Sequence, residues 1–297
     1  MNRTVLLIVN ANARNGAAYA DEVARALEER GLSPETVLST SMDQSVDAVK
    51  SRGPRCDVIA VGGGDGTLNG LLPHLLELDR PVAVIPLGTA NDFARSLELP
   101  EDPAAAAGMI VDGEIRRVDV AFANGRPFLN VVNIGLGEKV ARLHRGWTKR
   151  LLGVAGYPLR WFAVWRGSLH LKVRAIPDGG APELFRASQV SVANSNSFGR
   201  HFQIDAGNSL QSGELSVARL DPRDLVSWLK LLPKLMSGQV ARSPDARVSR
   251  VRTIRIETEP PAIYSGDGET MGCTPVEIGI RPAGLRVFAS RTSGNGD

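Results

Sequence analysis

Between Val61 and Gly70 the chain reads VGGGDGTLNG, four glycines around a single aspartate. Gly62, Gly63, Gly64 and Gly66 carry no side chain to keep a ligand off the backbone, and amides at the start of a following helix point outward as anion donors. Phosphate fits such a loop. Asp65 sharpens this, because a carboxylate among phosphates repels them unless a divalent cation such as Mg2+ lies between. The combination points to a metal–nucleotide complex. A plain strand-to-helix turn is the simpler account, yet one or two glycines would serve it. No G-x-x-x-x-G-K-[ST] occurs and the spacing fails G-x-G-x-x-G, so neither a P-loop nor a dinucleotide fingerprint explains the glycines. A second loop, PLGTANDFA (Pro86 to Ala94), again offers a glycine, a hydroxyl and two polar capping residues, Asn91 and Asp92.

The elements that must carry these loops alternate. VLLIV (Val5 to Val9), DVIAV (Asp57 to Val61) and PVAVI (Pro81 to Ile85) read as buried strands. Between them, Ala17 to Arg30 is a helix stopped by Gly31, DQSVDAVKSR a second helix capped by Asp43, and TLNGLLPHLLEL a third. Strand–helix alternation implies a parallel sheet covered on both faces, with ligand loops at its carboxyl edge. From about Ile115 the pattern changes. RVDVAFANGRPFLNVVNIG is two strands joined by the hairpin signal Asn124-Gly125, and period-two stretches such as Val276, Ile278 and Ile280 follow. This half is mainly antiparallel β, with helices expected over Thr148 to Gly167 and around DLVSWLKLLPKLM.

Composition excludes several classes. No apolar run approaches the roughly 20 residues that span a bilayer, and Val5 to Val9 is too short for a signal peptide, so the chain is expected to be cytoplasmic. Cys56 and Cys273 have neither disulfide-like nor zinc-like spacing. A net charge of +3 does not argue for nucleic acid. KVARLHRGWTKR, however, gathers Lys139, Arg142, Arg145, Lys149 and Arg150 around Trp147, and Trp161 and Trp165 follow. Such a run is either a solvated helix face or an interfacial helix for an anionic membrane.

GGDGTLN followed by PLGTANDFARSL resembles the catalytic domain of the diacylglycerol kinase family, which includes soluble bacterial lipid kinases and the sphingosine kinases. GGDGT alone is shared with NAD kinases and resembles the phosphofructokinase loop; with GTANDFAR it is specific. NANARNG (Asn10 to Gly16) stands where the family has an Asn-Pro-x-x-Gly phosphate loop, with Ala11 in place of the proline. STSMDQSVDAV resembles the segment whose threonine, here Thr40, contacts nucleotide. KRLLGVAGYPL resembles the Lys-Arg-x-x-Gly-x-x-x-Tyr helix, and GDGETMGCTPVEIGIRPAGLRVF the terminal stretch carrying Asp-Gly-Glu.

The resemblance implies an α/β nucleotide-binding domain of the NAD kinase and phosphofructokinase type over residues 1–120, with a return at about 283–297. It implies an antiparallel β-sandwich lipid-substrate domain over 121–282 and an active site in the cleft between the two. The implied activity is ATP-dependent transfer of the γ-phosphate to the hydroxyl of diacylglycerol or a related lipid alcohol. ATP would be held by Asn10, Thr40, Gly63, Gly64, Asp65, Gly66, Thr67, Leu68, Asn69, Gly88, Thr89 and Asn91. Asp65, Asp92 and Asp119 would organise Mg2+, and Arg14, Lys149 or Arg150 would meet the phosphates. Asp267 is the expected base, with Glu269 beside it and Asp65 as the third catalytic carboxylate. The implied partners are the lipid alcohol and, transiently, a membrane surface, which adds peripheral membrane association; a homodimer is left open.

Departures from the family pattern bear on this. The family has an Ala-Pro-x-Ala-x-x-x-Asp-Gly-x-Leu segment whose aspartate serves a structural Mg2+, but DAGNSLQSGELSV (Asp205 to Val217) has Ser212 there and leaves only Glu214 nearby. Gly266, where an apolar residue is usual, is expected to loosen the base. Two other readings follow: a nucleotide- or lipid-binding regulator with weakened catalysis, and, less well matched, an NAD kinase.

Overall fold

The computed structural model of the chain describes residues 3–13, 16–135, 170–195, 197–198, 202–205, 207–222 and 224–291. The expected helix over Thr148 to Gly167, the basic and tryptophan-rich run, and Arg14 lie outside them. The chain divides into two compact units, Met1–Val120 with Pro282–Asp297, and Ala121–Arg281.

The first unit runs β1 (Thr4–Asn10), α1 (Gly16–Glu28), β2 (Ser33–Ser39), α2 (Met42–Arg52), β3 (Val58–Gly63), α3 (Asp65–Leu78), β4 (Val82–Pro86), α4 (Asp92–Ser96) and α5 (Pro103–Asp112), ending in the first part of β5 (Glu114–Ala123). The strands pair in parallel in the order β2-β1-β3-β4, and Val287 of the returning chain continues the parallel pairing at Val82. Continuous apolar runs are what a sheet covered on both faces requires. Val5, Leu7, Val9, Val58 and Ala60 pack with Val23 and Leu27 of α1 and Ile110 of α5. The alternate residues Leu6, Ile8 and Ile59 are equally buried. Each such aliphatic side chain contributes about 1.5–3 kcal/mol.

Asp43 does not cap α2. Ser41 does, its hydroxyl accepting the Gln44 amide at 3.2 Å, while Asp43 sits in the first turn. A hydroxyl at the residue preceding the helix reaches an orphan amide that a residue already inside it overshoots.

The second unit comprises the end of β5, β6 (Arg126–Phe128), β7 (Val131–Gly135), β8 (Leu171–Pro177), β9 (Glu183–Ala187), β10 (Gln189–Ala193), the short β11 (Ser197–Phe198) and β12 (Phe202–Gln203), β13 (Leu215–Leu220), α6 (Leu225–Met236), β14 (Ala246–Val251), β15 (Thr253–Glu259), β16 (Ile263–Gly266), β17 (Glu269–Cys273) and most of β18 (Val276–Ala289). One antiparallel layer has the order β14-β13-β10-β7-β16-β17, and the other joins β18, β15, β8 and β9. Val132, Ile134, Val190 and Val192 of the first layer meet Val173, Ile254, Ile256 and Ile278 of the second in one core. Asn124 and Gly125 take φ of 46° and 79°, the left-handed pair a tight hairpin turn needs. The chain is thus an α/β unit with a mainly parallel sheet plus an antiparallel β-sandwich.

Candidate active site

Because β1 to β4 are parallel, their carboxyl ends share one edge. Asn10 lies opposite Ser39, Val9 opposite Gly62, and Gly63 opposite Pro86. The turns leaving that edge carry the predicted nucleotide residues.

β3 is buried along its whole length and ends at Gly63; Gly64 starts α3, accepting the amides of Thr67 and Leu68. Thr67 is buried, and its hydroxyl accepts the Asn10 amide group at 2.9 Å. Asn10 in turn accepts the Asn12 backbone amide, and the Asn12 side chain donates to the Thr40 carbonyl. Thr40 is exposed and donates from its amide and hydroxyl to Gln44. Asn10, Thr40 and Thr67 are therefore tied together through Asn12, which sequence reasoning did not single out.

The two glycine loops touch. The Leu87 amide donates to the Gly63 carbonyl at 2.9 Å. A Cβ on Gly88 would lie 2.5 Å from the Gly64 Cα and 2.6 Å from Asn91 Oδ1, so this approach requires glycine. Gly66, by contrast, has open space where its Cβ would stand. Asn91, at φ 50°, folds the second loop by accepting the Gly88 amide and donating to the Gly88 carbonyl, both at 2.9 Å. Its side chain is turned into its own loop.

Neither Asn91 nor Asp92 caps α4 with its side chain. The half-buried Asp65 does so from the neighbouring loop, accepting the amides of Asp92 and Phe93, each at 3.1 Å. Burial pushes the Asp65 carboxyl above the ordinary range; the Phe93 and Asp92 amides oppose the shift, and the Asp92 charge adds to it. Asp92 is itself buried, with Arg95 Nη2 at 3.3 Å from its Oδ1. Close by in sequence, both side-chain polar atoms of Asn69 are buried with no hydrogen-bond partner among the described residues. Buried amides without partners cost stability and mark a place for a ligand or water. Leu68 is a core residue of α3. Thr89 is exposed in the second loop.

Asp119 has a structural partner of its own. On β5 it is buried and accepts the Ala283 amide at 2.9 Å, which fixes a left-handed residue (φ 52°) in the returning strand. Among the described residues no three His, Cys, Asp or Glu side chains cluster closely enough to hold an ion. Asp65, Asp92 and Asp119 are therefore not a ready-made three-carboxylate cage.

In the second unit, Asp267 and Gly268 form the turn between β16 and β17, with φ of 49° and 84°. The Asp267 carboxylate accepts the backbone amides of Leu129, Asn130 and Val131 at 2.8, 3.0 and 2.9 Å. Its own amide donates to the Val131 carbonyl at 2.9 Å. Asn130 is buried and its Oδ1 has no hydrogen-bond partner among the described residues. Glu269 is half exposed and pairs with Arg126 at 2.9 Å. Gly266 does not loosen this turn: it is paired with Val132 and Glu269, and a Cβ there would lie 2.1 Å from the Met271 sulfur.

The loop expected to hold a structural Mg2+ is closed by its own side chains. Asp205 accepts the Gly207 amide, the Ser216 hydroxyl and, at 2.7 Å, Arg250 Nε. Arg250 holds the Asp205 carboxyl below the usual range, burial opposing. The Ser212 hydroxyl bonds Asn208 Oδ1 at 2.6 Å and the Glu214 carbonyl at 3.1 Å. These residues do not fit a structural cation.

Comparison with known proteins accounts for both units. Residues 4–123 match the diacylglycerol kinase catalytic domain, and residues 131–289, more than half of the chain, match the YegS C-terminal NAD kinase beta sandwich-like domain. The chain belongs to this family of diacylglycerol kinase and YegS-like lipid kinases. A diacylglycerol kinase of Bacillus subtilis is 27% identical over 86% of this chain and 86% of its own length. A Pseudomonas aeruginosa protein named "Probable lipid kinase YegS-like" is 31% identical over 77% of this chain and 75% of its own. The chain spans 60% of the longer uncharacterized protein sll0036 of Synechocystis, at 27% identity over 83% of this chain. A crystal structure of a candidate diacylglycerol kinase from Bacillus anthracis superposes with a TM-score of 0.80 at 26% identity, covering 97% of this chain and 98% of that one.

Proposed function

We propose that the protein transfers the γ-phosphate of ATP to the hydroxyl of diacylglycerol or a related lipid alcohol. The observation that carries this is the Asp65 site: a desolvated carboxylate beside Asp92, in a glycine loop with an unfilled amide at Asn69. Two neighbouring carboxylates, one of them desolvated and pushed up, suit a divalent cation, which Asp65 and Asp92 would hold with the phosphates. Bound there, Mg2+ would neutralise charge on the transferred group. The open side of Gly66 leaves its backbone free to meet phosphate, and Asn10, Thr40, Gly63, Gly64, Thr67, Asn69, Gly88 and Thr89 line the same edge.

Asp267 takes the proton of the acceptor hydroxyl as the new oxygen–phosphorus bond forms and the bond to the β-phosphate oxygen breaks, releasing ADP. Three amide donors hold its carboxylate in one orientation. That suits a loose transition state, in which the hydroxyl needs alignment more than early deprotonation. Glu269 acts through Arg126, and Asp119 by holding the returning strand.

A lipid acceptor brings the protein to a membrane. No described helix is long and apolar enough to cross one. On α6, Val226, Leu229 and Met236 are more than half exposed beside the exposed Lys230, and residues 225–244 contain no Asp or Glu. An apolar stripe flanked by cations suits transient docking to anionic lipid.

Incubation with γ-labelled ATP, Mg2+ and vesicles of mixed lipid alcohols tests the reading. Labelled lipid is expected with the native chain and is lost in Asp65→Ala. Nucleotide binding without labelled lipid would instead identify a regulator, and labelled NADP formed when NAD is added would identify an NAD kinase. Leu229→Ser with Lys230→Glu is expected to abolish co-sedimentation with phosphatidylglycerol vesicles; unchanged sedimentation would remove α6 from the docking face.

A further inference from the structure

The segment Asp205–Val217 is where the family pattern calls for a metal, and here the Asp205 carboxylate and the Ser212 hydroxyl are already engaged within the loop, while the Glu214 charge acts on Arg250. Position 212 holds a hydroxyl, not a carboxylate. That hydroxyl spans the loop, bonding Asn208 Oδ1 at 2.6 Å and the Glu214 carbonyl at 3.1 Å while accepting the Glu214 amide at 3.2 Å. The Ser212 amide donates to the Ser209 carbonyl at 3.2 Å. Both Asp205 oxygens are taken: Oδ1 by the Gly207 amide at 3.0 Å, Oδ2 by the Ser216 hydroxyl at 3.1 Å and by Arg250 Nε at 2.7 Å. A Cβ on Gly207 would lie 2.7 Å from Arg250 Nη2, so the guanidinium lies directly against the loop backbone. Arg250 lies on β14, whose Ser216↔Arg250 register with β13 holds it over the loop.

We infer that this chain has exchanged a structural divalent cation for an internal one: the Ser212 hydroxyl and the Arg250 guanidinium together close the loop, and the second unit folds without metal. A cation normally gathers oxygens that would otherwise repel. Here the single hydroxyl proton of Ser212 lies between Asn208 Oδ1 at 2.6 Å and the Glu214 carbonyl at 3.1 Å, and the Asp205 charge is met by an arginine that carries its charge at every working pH. The Asp205 and Asn208 acceptors are thus met without a metal, and Arg250 also offsets the Glu214 charge. The inference is independent of the kinase reading, because it concerns folding and not transfer.

Thermal unfolding of the full chain without nucleotide tests it, in EDTA and in millimolar Mg2+. The native chain is expected to unfold at the same temperature in both. Asp65→Asn is measured in parallel: a Mg2+ shift that this variant removes belongs to the glycine loop and leaves the inference standing. A shift that survives Asp65→Asn overturns it. Ser212→Asp removes the bridging proton and places a carboxylate against two acceptors, so it should create metal dependence, its midpoint rising by several degrees with Mg2+. Arg250→Gln, which leaves the loop sequence intact, should lower the midpoint equally in EDTA and in Mg2+. A midpoint for Arg250→Gln that matches the native chain would overturn the part assigned to Arg250.

Discussion

Asp65 and Asp267 both sit on backbone amides, and they are opposites. Asp65 accepts two amides, is desolvated, lies near the Asp92 charge, and its carboxyl is pushed up. Asp267 accepts three amides from one strand start and is locked into a two-residue turn. The first carboxylate is short of positive charge; the second is nearly saturated with donors. A buried anion with too few donors is stabilised by an added cation, whereas one with enough donors is already positioned. The difference is what the proposed function requires, metal recognition in the first unit and acceptor alignment in the second.

The largest effects should come from breaking that pair. Asp65→Ala removes the proposed cation ligand and the cap of α4 together, and transfer should fall by about a hundredfold to a thousandfold or more. Asp267→Asn keeps the shape but leaves fewer lone pairs for three amides. It should lose transfer by a smaller factor and destabilise by about 1–3 kcal/mol for each amide left without an acceptor. Equal loss of transfer and unchanged unfolding in both variants would erase the distinction.

A titration sharpens it. The Asp65 carboxyl is raised in the folded state, so its contribution to stability is full below the ordinary carboxylate pKa and is lost as pH rises through the raised value. Asp205 has the reverse sign: depressed by Arg250, it stabilises above the ordinary value and loses that as pH falls through its folded pKa. In metal-free solution Asp65→Asn should therefore flatten the decline of the unfolding midpoint just above the carboxylate range. Arg250→Gln should flatten the decline on its acid side. Parallel curves for the variants and the native chain would refute both assignments.

Most of the scaffold was legible because periodicity and turn chemistry are local. Val5 to Val9 had to be a covered strand, and Asn124-Gly125 had to turn a hairpin. The glycine loop was legible as a loop between strand and helix for the same reason. What escaped were partnerships across sequence: Asp65 capping a helix in the next loop, Asn12 tying Asn10 to Thr40, Arg126 holding Glu269. Such contacts depend on which strand ends become neighbours, and no spacing in the chain encodes that. Gly266 belongs with these, since its Cβ position is filled by the flexible end of Met271 across the hairpin.

The glycines give a smaller and cleaner test. Gly88→Ala forces a Cβ into the Gly64 backbone and should cost about 1–3 kcal/mol through overpacking, with a raised KM for nucleotide as the loops part. Gly66→Ala meets nothing within 4 Å and should fold like the native chain. Any rise in its KM for nucleotide would then report a ligand pressed against the backbone at that point. If Gly66→Ala leaves both stability and KM unchanged, phosphate does not approach Gly66, and the nucleotide must be held by the hydroxyls and amides of Asn10, Thr40 and Thr67 instead.

The smallest effect separates a cap from a charge. Ser41→Ala removes the acceptor for the Gln44 amide and should destabilise by about 1 kcal/mol, seen as faster hydrogen exchange in the first turn of α2. Asp43→Asn changes only a charge near the helix start and should cost about 0.3–1 kcal/mol, falling as salt is added. The salt dependence discriminates, because a hydrogen bond to a hydroxyl is not screened whereas a charge–dipole term is. Since Thr40 lies between Ser39 and the cap and donates to Gln44, loss of the Ser41 cap should also loosen Thr40 and raise KM for nucleotide slightly; Asp43→Asn should not.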